Sequence, residues 1–253
     1  MDAVLTLTDA PTAEQQRVIG SGLAKFNAEQ AGYSDSRDLA VLVSDPATQQ
    51  VVGGLLGRTS LGIFFVDLFY VPDEPVDLKG ARRLLDVGGG SGAFSITLCR
   101  RFPELRATIL DFPSVQAATT AFVREAGMSE RIEFIPGNAL TTEWPAGQDV
   151  VLLSYLLSAV SSTGVDQLLA RAFAVLSPGS RIVLHDFMVD DDGSGPATAA
   201  LWLVNALLID PDVARLSPGL LETRLRAQGF EHVEHAEVIP GITRSFTAVE
   251  RDR

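Results

Sequence analysis

Thiols are almost missing from this chain: Cys99 is the one cysteine in 253 residues. That excludes a disulfide framework and any cysteine-rich metal site. Cys99 falls in ITLCRRF, on the apolar face of an expected helix, where cysteine acts as a small hydrophobe. Histidine is scarce as well, with three residues, so few side chains titrate near neutrality. Basic residues are outnumbered, 20 against 32, for a formal charge of -12. With no Lys/Arg cluster to offset that balance, nucleic acid is not an expected partner. Long apolar runs are missing too: residues 150–153 and 201–208 fall well short of the roughly 20 that a membrane helix needs, so no membrane span is expected. The opening MDAVLTLTDAPTAEQQ has no basic stretch leading into an apolar one, so no secretory signal is expected and the cytoplasm is the expected location.

What is present is apolar material, 46% of the residues, enough for one large core or two modest ones. It is arranged in two unlike patterns. Residues 11–29 carry apolar side chains at Val18, Ile19, Leu23 and Phe26 behind a capping Thr12, and predict an amphipathic helix. LAVLVSD, QVVGGLLGRTS and LGIFFVDLFYV, separated by turn residues, then predict an antiparallel meander. The prolines and charges of VPDEPVDLKG interrupt both patterns and place a boundary there, giving domains 1–74 and 75–253.

Beyond the boundary, apolar strands alternate with helices: ARRLLDV, AFSITLCRRF, RATILDF, PSVQAATTAFVREAG, RIEFIPG, QDVVLLSYLL, VDQLLARAFAVLSPG and RIVLHDF. This order predicts a parallel sheet covered on both faces. LSPGLLETRLRAQGF reads as a helix stopped by Gly229. HVEHAEVI and TRSFTAV, joined by Pro240 and Gly241, read as an antiparallel hairpin at the sheet edge. His232 and His235 alternate along it as surface or edge residues.

The segment Asp86-Val87-Gly88-Gly89-Gly90-Ser91-Gly92 follows a strand and opens a helix, the context in which a glycine turn signals a ligand site. Glycine lets the backbone turn sharply and lets a ligand approach closely. Gly88, Gly90 and Ala93 also satisfy a dinucleotide fingerprint, and Asp111 stands where an acidic residue can hold ribose hydroxyls in either cofactor class. Asp86 favours a methyl donor, whose ammonium and sulfonium groups suit a carboxylate where a pyrophosphate would not. Read locally, Asp86 and Asn138 are also plausible turn residues, and Asp111 a turn former before Pro113.

LLDVGGGSGAFSITLCRRFPELRATILDFPSV resembles the core of the small-molecule O-methyltransferases of the caffeic acid and hydroxyindole type. The likeness continues through RIEFIPGNAL, QDVVLLSYLL, LSPGSRIVLHDF and LRAQGF, covering about residues 79–249. It implies an α/β fold: a Rossmann-like methyltransferase sheet with a terminal antiparallel hairpin. It also implies S-adenosyl-L-methionine as cofactor and a small-molecule acceptor as partner, with a homodimer left open. Asp86, Gly88, Gly90 and Gly92 would then face the methionine end of the cofactor. Asp111 would take the ribose, Asn138 and Ala139 would flank the adenine, and Phe112 and Ser154 would complete the cofactor site. The family often has Asp where Asn138 stands.

In O-methylating relatives a histidine after the fourth strand of this core takes the acceptor's proton. Here LLSAVSS occupies that stretch, and Ser158 stands in the histidine's place; an ordinary serine is no such base. Three alternatives stay open: an acceptor that needs no base, another residue as base, or a domain that binds cofactor without turnover. His185 and Asp186, at the end of RIVLHDF, are the substitute catalytic candidates. Tyr155, Ser158, Trp202 and Asn205 are candidate acceptor-lining residues, with a core helix as the plain alternative for the last two. No metal is expected: three adjacent carboxylates, Asp190 to Asp192, cannot all face one ion and read as a solvated loop. A non-catalytic S-adenosylmethionine-binding protein and an NAD-dependent oxidoreductase remain the other functional classes.

The opening segment, FNAEQAGYSDSRDLAVLVSDPATQQVVGGLLGRTSLGIFFVDLFYVPDE, resembles the first half of a GNAT acetyltransferase, a small α+β unit. In that family a basic glycine-containing turn follows and binds the pyrophosphate of acetyl-CoA. Here the chain runs into PVDLKGARRLLDV instead, so acetyl transfer is not expected.

Overall fold

A computed structural model describes residues 12–33, 37–44, 50–60, 63–70, 78–239 and 241–250. The expected boundary residues 71–77 and the turn residue Pro240 lie outside them. The chain divides into two compact units, Met1–Glu74 and Pro75–Arg253.

In the first unit, helix α1 (Ala13–Ala31) starts at Thr12, whose hydroxyl accepts from the Gln15 amide while the Gln15 side chain accepts from the Thr12 amide. This reciprocal capping box satisfies two of the N–H groups that a helix start leaves orphaned. Gly32 ends the helix with a left-handed φ of 76°. Three strands follow, β1 (Arg37–Ser44), β2 (Val51–Ser60) and β3 (Ile63–Tyr70), paired antiparallel in the order β1-β2-β3.

The second unit is an α/β Rossmann-like fold. Its strands are β4 (Arg83–Val87), β5 (Arg106–Asp111), β6 (Ile132–Pro136), β7 (Gln148–Ser154), β8 (Leu176–Phe187), β9 (Phe230–Ile239) and β10 (Thr243–Glu250). They form one seven-stranded sheet in the order β6-β5-β4-β7-β8-β10-β9. The first five positions run parallel, and β10 pairs antiparallel with β8 and β9. The hairpin thus lies at the sheet edge. Helices α2 (Ala93–Arg101), α3 (Gln116–Glu125), α4 (Ser162–Val175), α5 (Ala197–Ile209) and α6 (Pro218–Gln228) complete the unit. Strand β8 begins earlier than the sequence pattern suggests: Gln148 pairs with Leu176 and Val150 with Arg181, so residues 177–180 bulge out between two paired positions.

Side-chain alternation along the strands sends neighbouring residues to opposite faces. Leu84, Ile109, Val150, Leu152 and Val183 join Ile96, Cys99 and Val123 in one core. Leu85, Val87, Val151, Leu153, Ile182 and Leu184 join Leu168, Leu169, Leu221 and Leu225 in the other. The same alternation aims polar residues. Asp86 shares the face of Leu84, toward α2, while Asp186 shares the face of Leu184 and His185 that of Val183. Among the described residues no helix is long and apolar enough to cross a membrane.

Candidate active site

The order of strands reverses between β4 and β7, and in open α/β sheets the crevice beyond the strand ends at such a point is where ligands bind. The glycine turn stands there. Gly88, Gly90 and Gly92 have φ of 74°, 54° and 78°, a region that side chains rarely adopt. The turn is held from three sides: the Gly88 amide donates to the Leu110 carbonyl at 2.7 Å, the Gly90 amide to Asp111 Oδ2 at 2.8 Å, and the Thr119 hydroxyl to the Gly90 carbonyl at 2.5 Å.

Asp86 lies beneath this turn, 1% exposed. Its Oδ2 accepts from the Ser95 hydroxyl at 2.7 Å, while Oδ1 is buried without a hydrogen-bond partner. Burial, with a smaller contribution from the nearby Asp111 charge, pushes its carboxyl up to about 6. A carboxylate kept from water and half unsatisfied favours a cationic neighbour. The Gly89 position reflects the same crowding, since a Cβ there would lie 2.8 Å from the carboxyl carbon of Asp86. At Gly90 a Cβ would meet nothing within 4 Å, so that side of the turn is open.

Asp111, half-buried at the end of β5, accepts from the amides of Gly90 (2.8 Å) and Phe112 (2.6 Å). Phe112 itself is exposed. Asn138 is exposed after β6, where Oδ1 closes a turn by accepting from the Leu140 amide and the backbone amide donates to Thr142 Oγ1. The carbonyl of Ala139 accepts from the Trp144 indole. Asn138 therefore does serve as a turn residue, and its remaining amide donor is the group left to meet a ligand.

The ends of β7 and β8 hold the second cluster. Ser154 Oγ is 3.2 Å from His185 Nδ1, and His185 Nε2 is 3.0 Å from Thr243 Oγ1. Both imidazole nitrogens are thereby engaged, and burial lowers the ring's pKa to about 4. Asp186 is wholly buried and accepts from the amides of Ser158 (3.0 Å) and Phe187 (2.8 Å). Burial raises its carboxyl to about 6. Tyr155 occupies a left-handed φ of 54° and packs its ring edge-on to His185 at 4.6 Å; burial and the Asp186 charge raise its phenol. Ser158 Oγ accepts from the Trp202 indole at 3.3 Å, and the Trp202 ring stacks on Phe187 at 4.3 Å. Ser158, Phe187, Leu203 and Trp202 line a small cavity here, whereas Asn205 is exposed on α5 and stands apart from that lining.

The two clusters share one sheet edge: Phe94, at the start of α2, packs edge-on against His185 at 6.0 Å, and Gly88 abuts Leu156. Several participants escape a reading of the sequence. Ser95 and Phe94 follow the glycine turn directly and could be found from their place in the first helical turn. Phe187 follows Asp186 at a strand end. Thr243 has no local signal, because only the register that sets it opposite Phe187 brings it to His185. Of the acidic run, Asp190 pairs with Arg244 at 2.7 Å and Asp191 accepts from the Gly219 amide, so these residues tie the loop to its neighbours. Among the described residues no group of side chains is arranged to hold a metal. His232 and His235 are exposed on the edge strand β9.

The chain is similar to several known proteins. A 3-hydroxy-5-methyl-1-naphthoate 3-O-methyltransferase of Streptomyces sahachiroi is 40% identical over 133 residues, 53% of this chain and 39% of that protein. An L-tyrosine C(3)-methyltransferase of Streptomyces lavendulae is 38% identical over 128 residues, 51% of this chain and 35% of that protein. The chain thus spans well under half the length of these relatives. Among solved structures, the apo form of the S-adenosylmethionine-dependent methyltransferase SibL is 29% identical with a TM-score of 0.60, over 71% of this chain and 53% of that one. Residues 73–231, more than half of the chain, match the model of the O-methyltransferase domain, and the chain belongs to that family.

Proposed function

We propose that residues 75–253 form a methyltransferase domain that binds S-adenosylmethionine and passes its methyl group to a small aromatic acceptor. The observation that carries this reading is the open glycine turn above a buried, half-unsatisfied Asp86. A pyrophosphate would be repelled by that carboxylate, while a cationic ligand relieves it. The cofactor supplies, when bound, an electrophilic methyl group on a cationic sulfur.

The chain's own residues then have defined tasks. Gly88, Gly90 and Gly92 admit the ligand's methionine end, with Asp86 contributing charge from beneath. Asp111 borders its ribose and Asn138 and Ala139 its adenine, with Phe112 and Ser154 completing the cofactor side. On the acceptor side Tyr155, Phe187 and Trp202 make an aromatic wall with Ser158 at its foot. Flat faces of this kind suit an aromatic ring, and the naphthoate- and tyrosine-directed relatives are consistent with that. His185 and Asp186 fix the floor of the site. Methyl transfer demands that acceptor and methyl be held in line at near-attack distance, so rigid walls are the main contribution a protein can make.

The first unit we read as a GNAT-like fragment, supported by one capped helix followed by an antiparallel meander. A second copy of the chain belongs to the same proposal, supported by the exposed apolar side chains of α5. Calorimetric titration with S-adenosylmethionine, S-adenosylhomocysteine and NAD, repeated with Asp111→Ala, tests the cofactor. Micromolar binding of the adenosyl ligands and its loss in the variant is the expected result; binding of NAD alone would sink the proposal.

A further inference from the structure

Among the described residues, His185, Asp186, Asp111, Asp86 and Ser158 stand near the two clusters as the side chains to weigh as proton acceptors. His185 has both ring nitrogens hydrogen-bonded to hydroxyls, and it is 6% exposed. Asp186 has both oxygens on backbone amides and no exposure. Asp111 accepts from the amides of Gly90 and Phe112 and stands on the cofactor side of the proposed site. Asp86 sits beneath the glycine turn, under Gly89, with Ser95 on one oxygen. Ser158, the polar side chain at the foot of the aromatic wall, already accepts from Trp202, and a serine hydroxyl is far too weak a base. A general base must reach the proton that it removes, directly or through one water. Carboxylate oxygens keep spare lone pairs, but burial closes off Asp86, Asp186 and His185, and Asp111 belongs to the cofactor side, so none of these side chains is placed to take the acceptor's proton.

We infer that the domain methylates aromatic acceptors whose nucleophilic oxygen is already an anion near neutral pH: acidified phenols or enols. This rests on the methyl-transfer reading and names its substrate class. The acceptor oxygen forms the new O–C bond, the S–C bond of the donor breaks, and the sulfur keeps the bonding pair. An anion and a sulfonium become a neutral ether and a neutral thioether. No proton moves, so no base is required. The charged side chains of the two clusters are the carboxyls of Asp86, Asp111 and Asp186 on β4, β5 and β8, with no lysine or arginine among the site residues named. The attraction for an anion comes from the donor's own positive charge.

The test uses the full chain and a series of nitro- and halogen-substituted phenols with ionisations from about pH 5 to the ordinary phenol value of about 10. Calorimetry with S-adenosylmethionine comes first; absence of binding would remove the methyl-transfer proposal itself. Ultraviolet difference spectra of each phenol on the chain loaded with S-adenosylmethionine, recorded at pH 7 before turnover, report its charge. The acidic members should bind as phenolates, and the ordinary ones weakly and as neutral phenols. Rate profiles should inflect at each acceptor's own ionisation, with the ordinary phenols, ionised to about one part in a thousand at pH 7, roughly 1,000-fold slower there. Ser158→His should narrow that gap by adding a base. A common inflection for all acceptors, equal rates across the series, or donor binding with no transfer to the acidic phenols would each overturn the inference. The wild-type series decides the matter even if the variant does not fold.

Discussion

Asp86, Asp186 and His185 are three buried titratable side chains at one end of the sheet, and the histidine's shift acts against those of the two carboxyls. Asp86 has a folded value of about 6 against an ordinary 3.8. The folded state therefore holds its proton where the unfolded state has lost it, and stability falls as pH rises from about 4 to 6. The loss is on the order of 3 kcal/mol and is fully present at pH 7. Asp186 adds in the same sense. His185, lowered to about 4, does the reverse: the unfolded state takes the proton first, so stability falls as pH drops from about 6.5 to 4. Asp86→Asn is expected to raise the melting temperature of the ligand-free chain at pH 7 and to leave it nearly unchanged near pH 4. The same substitution should weaken S-adenosylmethionine binding at pH 7 and flatten its pH dependence. In the unsubstituted chain the affinity should climb through pH 6 as Asp86 ionises. Melting curves and titrations at pH 4.5, 6 and 7.5 check both expectations; a variant with unaltered affinity would remove Asp86 from the site.

At the scale of the element, the turn between β4 and α2 separates two uses of glycine. Gly90 has open space where a Cβ would go, whereas a Cβ at Gly92 would come within 2.9 Å of Ile109 Cδ1. Both have positive φ, so alanine at either adds about 1–2 kcal/mol of backbone strain. Gly90→Ala should therefore lose cofactor affinity by more than it loses stability. Gly92→Ala should lower the melting temperature further, by core crowding against Ile109. Calorimetry and thermal melts on the pair separate the two. This element was legible in advance, since an apolar strand, a glycine cluster and a helix carry their geometry in local order. The strands and helices of the second unit were legible for the same reason, being set by period and punctuation. Residues 177–180 were not: LSPG reads as a helix end and a turn, and only pairing with β7 draws Leu176 into the sheet. Nor was Thr243 legible as a partner of His185, because cross-strand register is a property of the pair and not of either strand. Asn138 could be placed on the right loop, but its side chain's engagement with Leu140 depends on the turn's geometry.

On the scale of the whole molecule, α5 is a helix that carries none of the chain's net charge of -12. Its thirteen residues, ATAALWLVNALLI, carry no charge, and Leu208 and Ile209 are each 81% exposed. Contiguous exposed apolar side chains mark contact surfaces more often than scattered ones do. Sedimentation of the full chain should show association that grows with concentration, and Leu208→Glu with Ile209→Glu should diminish it. A monomer at every concentration would take the second copy out of the proposed partners. The pairing of His185 with Thr243 has a further consequence, in the order of synthesis. The ribosome finishes β8 nearly sixty residues before it reaches β10. During that interval β8 is a sheet edge with bare peptide groups, and the imidazole at its end lacks its second hydroxyl. The nascent domain can assemble its parallel half early, but the His185–Thr243 contact forms only when the last strand slides into place, and a chaperone that shields the β8 edge would protect the domain at its most adhesive moment.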